Sequence, residues 1–188
     1  LDANTAGVRN TALGWTSLSA IVTASDSTAV GYNALLLDTG GSNTAVGSGA
    51  GDAITLGNNN VAIGTNAIGS GANVAYNTAV GSAALASLGN NKDGNTAIGY
   101  NALGGVGAAA GNIALGFNAG DNIVTGQYNL IIGYNIDAPS ATASGQLSIG
   151  NLIFGTSLGE TGTTVSDGNV GIGNNNPAYK LTVGNGTS

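Results

Sequence analysis

Asn43-Thr44-Ala45-Val46-Gly47 is the stretch that decides the fold, because its pattern returns along the chain about every 17 residues. The glycine of this phrase recurs at Gly14, Gly31, Gly47, Gly64, Gly81, Gly99, Gly116, Gly133 and Gly150. A tenth copy, Asn169-Val170-Gly171-Ile172-Gly173, follows after a longer interval. A short and regular period is typical of solenoids, in which each turn buries its apolar side against its neighbours. Function is therefore expected on the repeated outer surface of a rod rather than in a single pocket.

Alternation within the phrase indicates a short β-strand. Thr44 and Val46 would share one face of an extended segment, and Ala45 would lie on the other. The Val46 position is aliphatic in every copy, and the Thr44 position holds only Thr, Val, Ile or Leu, which suits a strand. The Ala45 position stays small through Ala114, so a second surface should lie close to it. We expect both strand faces to be buried and a second short strand to follow each glycine.

The Asn43 position is an asparagine in most copies, with Ser27 and Gln146 as replacements. Amides stacked in register can hydrogen-bond along the axis, so these residues are given a structural role and no binding role. Together the repeats predict an all-β fold, a parallel β-solenoid of about ten coils of roughly 17 residues each. A coil this thin exposes one apolar strand face, which favours self-association, and a homotrimer is the preferred state.

Composition excludes several classes of function. Only 6% of the 188 residues are charged, and nine acidic residues outnumber three basic ones. Nucleic-acid binding needs clustered basic residues, so it is not expected. No apolar run approaches the ~20 residues of a membrane span. The chain has no histidine and no cysteine, and we expect no metal and no cofactor. The high glycine content also fits a disordered chain, but apolar residues hold fixed positions in the repeat, which favours order.

The repeated phrases resemble the head repeats of YadA-like trimeric autotransporter adhesins. Asn43 to Gly47 and Asn60-Val61-Ala62-Ile63-Gly64 carry this resemblance, which covers about residues 10–150. In that family such repeats form a left-handed parallel β-roll, three copies of which pack into a trimer. The period here is longer than the coil usual in the family. The resemblance implies a trimeric left-handed β-roll for this chain.

The C-terminal segment is similar to the linker that precedes the intramolecular chaperone of endosialidase-type phage tail fibres and spikes. Its matching elements are Gly168-Asn169-Val170-Gly171-Ile172-Gly173 and Pro177-Ala178-Tyr179-Lys180-Leu181-Thr182-Val183. In that family the chaperone assists trimerisation and then removes itself by proteolysis. We therefore expect a β-solenoid repeat domain over 1–155 and, over 156–188, a connector leading to a missing or cleaved chaperone. Pro177 cannot donate to a strand ladder and is expected to end the roll.

Five aromatic residues directly follow the repeat glycine and are the candidate glycan contacts: Trp15, Tyr32, Tyr100, Phe117 and Tyr134. Such a stripe could stack on the sugars of a surface polysaccharide. The rings could equally pack on one another at a coil corner and hold the register of the coils. Insertions between the phrases, at 36–42, 89–94, 137–145 and 156–168, are the other places where a receptor could bind.

No catalytic residues are predicted. Paired carboxylates could cut a polysaccharide, but Glu160 is the only glutamate, and turn formation accounts for the aspartates, which lie mostly in insertions. Gly104-Gly105-Val106-Gly107 begins a calcium-binding repeat phrase, yet Ala109 stands where the phrase needs an aspartate. Ice binding by a threonine array is a further alternative. Aliphatic residues replace those threonines in later coils, which favours a buried face.

The sequence thus predicts a non-enzymatic, homotrimeric segment of a phage tail fibre, located on the virion. It would serve as a stiff shaft and could contact a host surface glycan or protein receptor. The alternative is the head domain of a bacterial trimeric surface adhesin, located outside the cell at the bacterial surface. In neither function is this segment expected to bind nucleic acid or to insert into a membrane.

Overall fold

Twelve three-residue strands form the regular structure of the computed structural model, which describes residues 1–107, 109–158 and 167–183. No helix occurs among these residues. The first nine strands coincide with the middle of the repeated phrase, where aliphatic and β-branched side chains suit a strand. In chain order the strands are β1 (Thr11–Leu13), β2 (Thr28–Val30), β3 (Thr44–Val46), β4 (Val61–Ile63), β5 (Thr78–Val80), β6 (Thr96–Ile98), β7 (Ile113–Leu115), β8 (Leu130–Ile132), β9 (Leu147–Ile149), β10 (Ile153–Gly155), β11 (Val170–Ile172) and β12 (Leu181–Val183).

Strands β1 to β9 stack in chain order as one parallel sheet. Equivalent repeat positions lie directly over one another, as in the pairing of Ala45 with Ala62. Each strand pairs with the next one a full coil later, so the predicted all-β parallel β-solenoid is confirmed. Its parallel part has nine strands joined by eight turns, fewer than the ten coils expected, because the tenth phrase forms β11 outside this stack. At ~4.8 Å per strand the stack is roughly 38 Å long.

From β1 to β7 the repeat glycine ends the strand at a corner where a side chain would collide with the backbone of the next coil. Gly47 and Gly64 have φ angles of 136° and 128°, a region that side chains strongly disfavour. A Cβ added to Gly47 would lie 2.7 Å from the carbonyl carbon of Gly64 in the next coil. Backbone therefore packs directly on backbone at this corner, and this explains why glycine returns with the period of the coil.

The second strand predicted in each coil does not form. The chain instead makes turns after the glycine, with left-handed backbone at alternate residues such as Asn33 (φ 55°) and Leu35 (φ 49°). Alternating left-handed and ordinary conformations curl the backbone, so no extended segment arises. These turns still bond coil to coil, since the amide of Leu35 donates to the carbonyl of Ala50 at 3.0 Å.

The core is a thin column between the alanine face of the strands and the turn residues. Ala45 and Ala79 are fully buried, as are Leu35 and Leu85 of the turns. Where glycine replaces the turn leucine, an isoleucine three residues later fills the space. A Cβ on Gly51 would lie 3.0 Å from a methyl carbon of Leu35 and 3.1 Å from one of Ile54. In the single chain only the alanine face of the strands is buried. The expected burial of both strand faces is therefore not found within one copy.

Strand direction reverses at the C-terminal end of the stack. Strand β10 pairs antiparallel with both β9 and β11, and β11 pairs parallel with β12. Phe154 on β10 is largely buried, and the Asn169 amide donates to the carbonyl of Pro177 at 2.9 Å. The antiparallel pairing covers the open edge of β9, as the end of a solenoid requires.

Candidate interaction surfaces

A column of buried asparagines runs along the inside of the solenoid. We call this set the amide column; its members are Asn43, Asn60, Asn77, Asn95, Asn112 and Asn129, each at most 1% exposed. The backbone amide of Asn60 donates to Oδ1 of Asn43 at 3.0 Å, and Nδ2 of Asn60 donates to the same oxygen at 3.0 Å. Each later member's backbone amide bonds to the oxygen of the member before it. These amides are satisfied inside the chain, so they present nothing to a ligand.

The other side of the strands forms the outer face, which we define as the first and third side chains of β1 to β9. Five of the nine strands have a threonine first and an aliphatic residue third, and the other four have aliphatic residues at both places. The aliphatic members stay partly open, with Ile63 38% and Leu115 44% exposed. The alanine between them points inward and is fully buried in β2, β3 and β5 to β7. The outer face is therefore a continuous strip of uncharged side chains along the solenoid, which makes it a candidate interaction surface.

Three of the five candidate glycan contacts come together as one aromatic stack. The ring centroids of Tyr100 and Phe117 lie 5.1 Å apart, and those of Phe117 and Tyr134 lie 5.0 Å apart. Their planes are inclined by only 17° and 14°. Trp15 and Tyr32 lie in the first two coils, separated from the stack by coils that carry Ser48, Thr65 and Ser82 at this position.

Stacking decides how much ring surface is left for a ligand. Both faces of the Phe117 ring are covered by its two neighbours. A ligand could therefore reach only the edges of the three rings and the outer faces of Tyr100 and Tyr134. Tyr134 at the end is 75% exposed, and so is Trp15 at the other end of the solenoid. Packing of the rings on one another accounts for the middle of the stack, whereas Tyr134 and Trp15 have open rings that could contact a sugar.

A second row of amides runs beside the aromatic stack and was missed by sequence reasoning. Nδ2 of Asn101 donates to Oδ1 of Asn118, and Nδ2 of Asn118 donates to Oδ1 of Asn135, each at 3.2 Å. The sequence held a signal for this row, because an asparagine directly follows each ring of the stack. The row lies at the surface, and its last member, Asn135, is exposed.

A carboxylate, Asp121, lies beside this row and interacts with a second one, Asp137. Nδ2 of Asn101 also donates to Asp121 at 3.2 Å. Burial raises the pKa of Asp121, and the charge of Asp137, together with a hydrogen bond that protonated Asp121 donates to it, raises this pKa further. Among the described residues no group of three acidic residues could hold a metal ion.

The insertions proposed as receptor loops divide into three kinds. Residues 36–42 place Asp38 in the interior, where it is fully buried, whereas Leu37, Thr39 and Ser42 stay exposed. Residues 89–94 bind the coil before them, with Nδ2 of Asn73 donating to Asn91 at 2.7 Å. Residues 137–145 line an open cleft together with Thr156, Asn175 and Asn176. The last insertion, 156–168, is described only in part, and Glu160 lies outside the described residues.

In comparisons with known proteins, no family model, no curated protein and no solved structure matches this chain. Within the ranges that the structure describes, no helix has the length and apolar character needed to cross a bilayer. Conclusions about function therefore depend on the geometry of the surfaces described above.

Proposed function

We propose that this chain is a non-enzymatic, structural segment of a phage tail fibre that assembles as a homotrimer and serves as a stiff shaft on the virion. The observation that supports this most is the outer face, which runs without interruption over nine in-register strands. A repeated apolar strip on a rod suits lateral assembly of identical rods better than it suits a reaction at one point.

Self-association follows from the character of the outer face. Ile63, Ile98 and Leu115 leave between 38% and 44% of their surface open in the single chain. Identical chains placed around a common axis would cover these side chains at every coil, because every copy repeats with the same spacing. Three copies give each outer face partners on both sides, and closed cyclic symmetry is the usual arrangement of homo-oligomers.

Light scattering of the purified chain tests the assembly. We expect a particle of three times the 17.9 kDa of one chain, stable on dilution. A stable monomer would remove the trimer from the proposal, and a stable dimer would replace it with a two-fold assembly.

The alternative function is the head domain of a bacterial trimeric surface adhesin, which the same rod geometry would serve. The two functions differ in the segments that flank the rod in the parent gene. A fibre would be preceded by a virion-attachment domain and followed by a self-cleaving chaperone. An adhesin would continue into a coiled-coil stalk and a membrane anchor, so the flanking gene sequence decides between them.

Attachment to a host surface is a second role that the fibre could combine with support. Tyr134 and Trp15 are three-quarters exposed, and exposed amides such as Asn135 lie beside the first of them. Rings together with amides are the groups that bind neutral sugars through stacking and hydrogen bonds. A glycan array with the wild type and with Tyr134→Ala tests this role. Binding that the variant loses supports it, and no binding by the wild type contradicts it.

The absence of enzymatic activity is also part of the proposal. Incubation with host capsule or lipopolysaccharide should release no oligosaccharide. Release of oligosaccharide would replace the structural function with that of a depolymerase.

A further inference from the structure

Asp38 is the only carboxylate among the described residues whose side chain is fully buried. Its Oδ1 accepts from the backbone amides of Gly40 at 3.0 Å and Gly41 at 3.1 Å, and from Nδ2 of Asn43 at 3.1 Å. Its Oδ2 accepts from the Ser27 hydroxyl at 2.7 Å. Burial of a carboxylate costs free energy unless donors replace its lost water, and here four donors do so.

Asp38 stands where most other coils place a core aliphatic side chain. This position lies three residues after a left-handed turn residue such as Leu35 or Gly51. Apart from Gly71, its occupants elsewhere in the solenoid core are Ile21, Ile54, Leu88, Val106 and Ile123, all fully buried. The coil of Asp38 therefore departs from the repeat at a position where the core would otherwise hold a hydrocarbon group.

Ser27 is the second departure, and it lies in the same part of the solenoid. At most places in the amide column one oxygen accepts twice, as when Oδ1 of Asn43 receives both the backbone amide and Nδ2 of Asn60. Ser27 takes the place of the asparagine before Asn43, and its side chain is too short to accept both. The Ser27 hydroxyl oxygen accepts the backbone amide of Asn43 at 3.3 Å, and Nδ2 of Asn43 goes to Asp38 instead.

We infer that Ser27 and Asp38 act as one unit that replaces the asparagine missing from the amide column. The serine accepts the backbone donor of Asn43, the aspartate accepts its side-chain donor, and a hydrogen bond joins the two. Either residue without the other leaves buried donors of this coil without an acceptor, which is the costly case for a polar group in a core.

The direction of the column explains why an acid fits this place. Besides a bond to a carbonyl of the following coil, Nδ2 makes a bond toward the N-terminal end, to the oxygen of the preceding asparagine, in Asn60, Asn77, Asn95 and Asn112 alike. Asp38 receives the last of them from Asn43, so its negative charge lies at the donor end of a row of aligned amides.

The test compares Asp38→Ile, Ser27→Asn and the combined variant, which gives this coil the pattern of the others. Chemical unfolding followed by circular dichroism gives the stability of each. We expect Asp38→Ile alone to raise the unfolded-to-folded ratio roughly tenfold to a hundredfold, because four donors lose their acceptor. The combined variant should recover part of that loss, since the asparagine introduced at position 27 would supply the acceptor for Asn43 and remove the serine donor, whereas the amides of Gly40 and Gly41 would still lack their acceptor. Asp2→Ala, which removes one exposed charge, serves as the control.

Asp38→Asn keeps the inference testable if the isoleucine variant does not fold. It retains the acceptor for Asn43 but offers an amide to the Ser27 hydroxyl, so it should lose less stability than Asp38→Ile. Hydrogen exchange at the backbone amide of Asn43 should accelerate in both variants. The inference is overturned if exchange at Asn43 is unchanged, or if the effects of the two substitutions simply add in the combined variant.

Discussion

At the scale of single residues, the corner glycines fix the close approach of one coil to the next. Gly64→Ala would place a Cβ 2.5 Å from the carbonyl carbon of Gly81, at a φ of 128°. We predict a loss of about 2–4 kcal/mol in the free energy of unfolding, from strain and from displaced backbone. Chemical unfolding measures it. Gly107→Ala is the control, because a Cβ there meets nothing within 4 Å, and equal stability of the two variants would contradict the packing described here.

Asp121 gives a prediction that depends on pH. Burial and the nearby Asp137 raise its pKa in the folded protein, so folding favours the protonated acid. The stability from this group is present below the unfolded pKa of ~3.9 and is lost as the pH rises through the folded pKa. Asp121→Asn should therefore raise the melting temperature at pH 7 more than at pH 3. Melting curves at both values test this, with Asp2→Asn as the exposed control. A variant that melts below the wild type at pH 7 would contradict the sign.

At the scale of elements, the amide column joins neighbouring strands from the inside. Asn77→Ala removes the acceptor of two donors of Asn95, its backbone amide at 2.9 Å and Nδ2 at 3.1 Å. We predict a loss of about 2–4 kcal/mol in urea unfolding, because these donors stay buried. Asn175→Ala, which truncates an exposed amide, should change stability by less than about 0.5 kcal/mol. A loss at Asn77 as small as the control's would show that the column is not needed.

Strands β1 to β9 and their partners were predictable from sequence, whereas the turns between them and the antiparallel strand β10 were not. Alternation around Ala45 gave the strand, the period gave its neighbour, and repeated asparagines gave the column. The second strand was wrongly predicted, because Leu35 adopts a left-handed conformation that no leucine prefers on its own. The aromatic stack was only half predictable, since proximity of Tyr100, Phe117 and Tyr134 follows from the period but the overlap of their rings does not. The burial of Asp38 was not predictable, because it depends on hydrogen bonds that cannot be read from the repeat pattern.

At the scale of the whole molecule, the outer face is the surface through which we propose that copies meet. Ile98→Lys would place a charge in the middle of that strip, and burying it between copies is costly without a partner charge. We predict that light scattering gives a monomer for this variant while its circular dichroism spectrum stays that of the wild type. Leu56→Lys is the matched control, because Leu56 is 65% exposed but lies in a turn away from the strands. A trimer that tolerates Ile98→Lys would move the interface elsewhere.

The most direct measurement of the proposed assembly is the distance between spin labels on neighbouring copies. The chain has no cysteine, so Ile63→Cys and Leu56→Cys each carry one label. A label at position 63 on the outer face should show an intermolecular distance of roughly 10–20 Å, since packed sheets lie ~10 Å apart. The label at position 56 should show a longer one. Absence of any intermolecular coupling at position 63, or a shorter distance at position 56, would contradict assembly through the outer face.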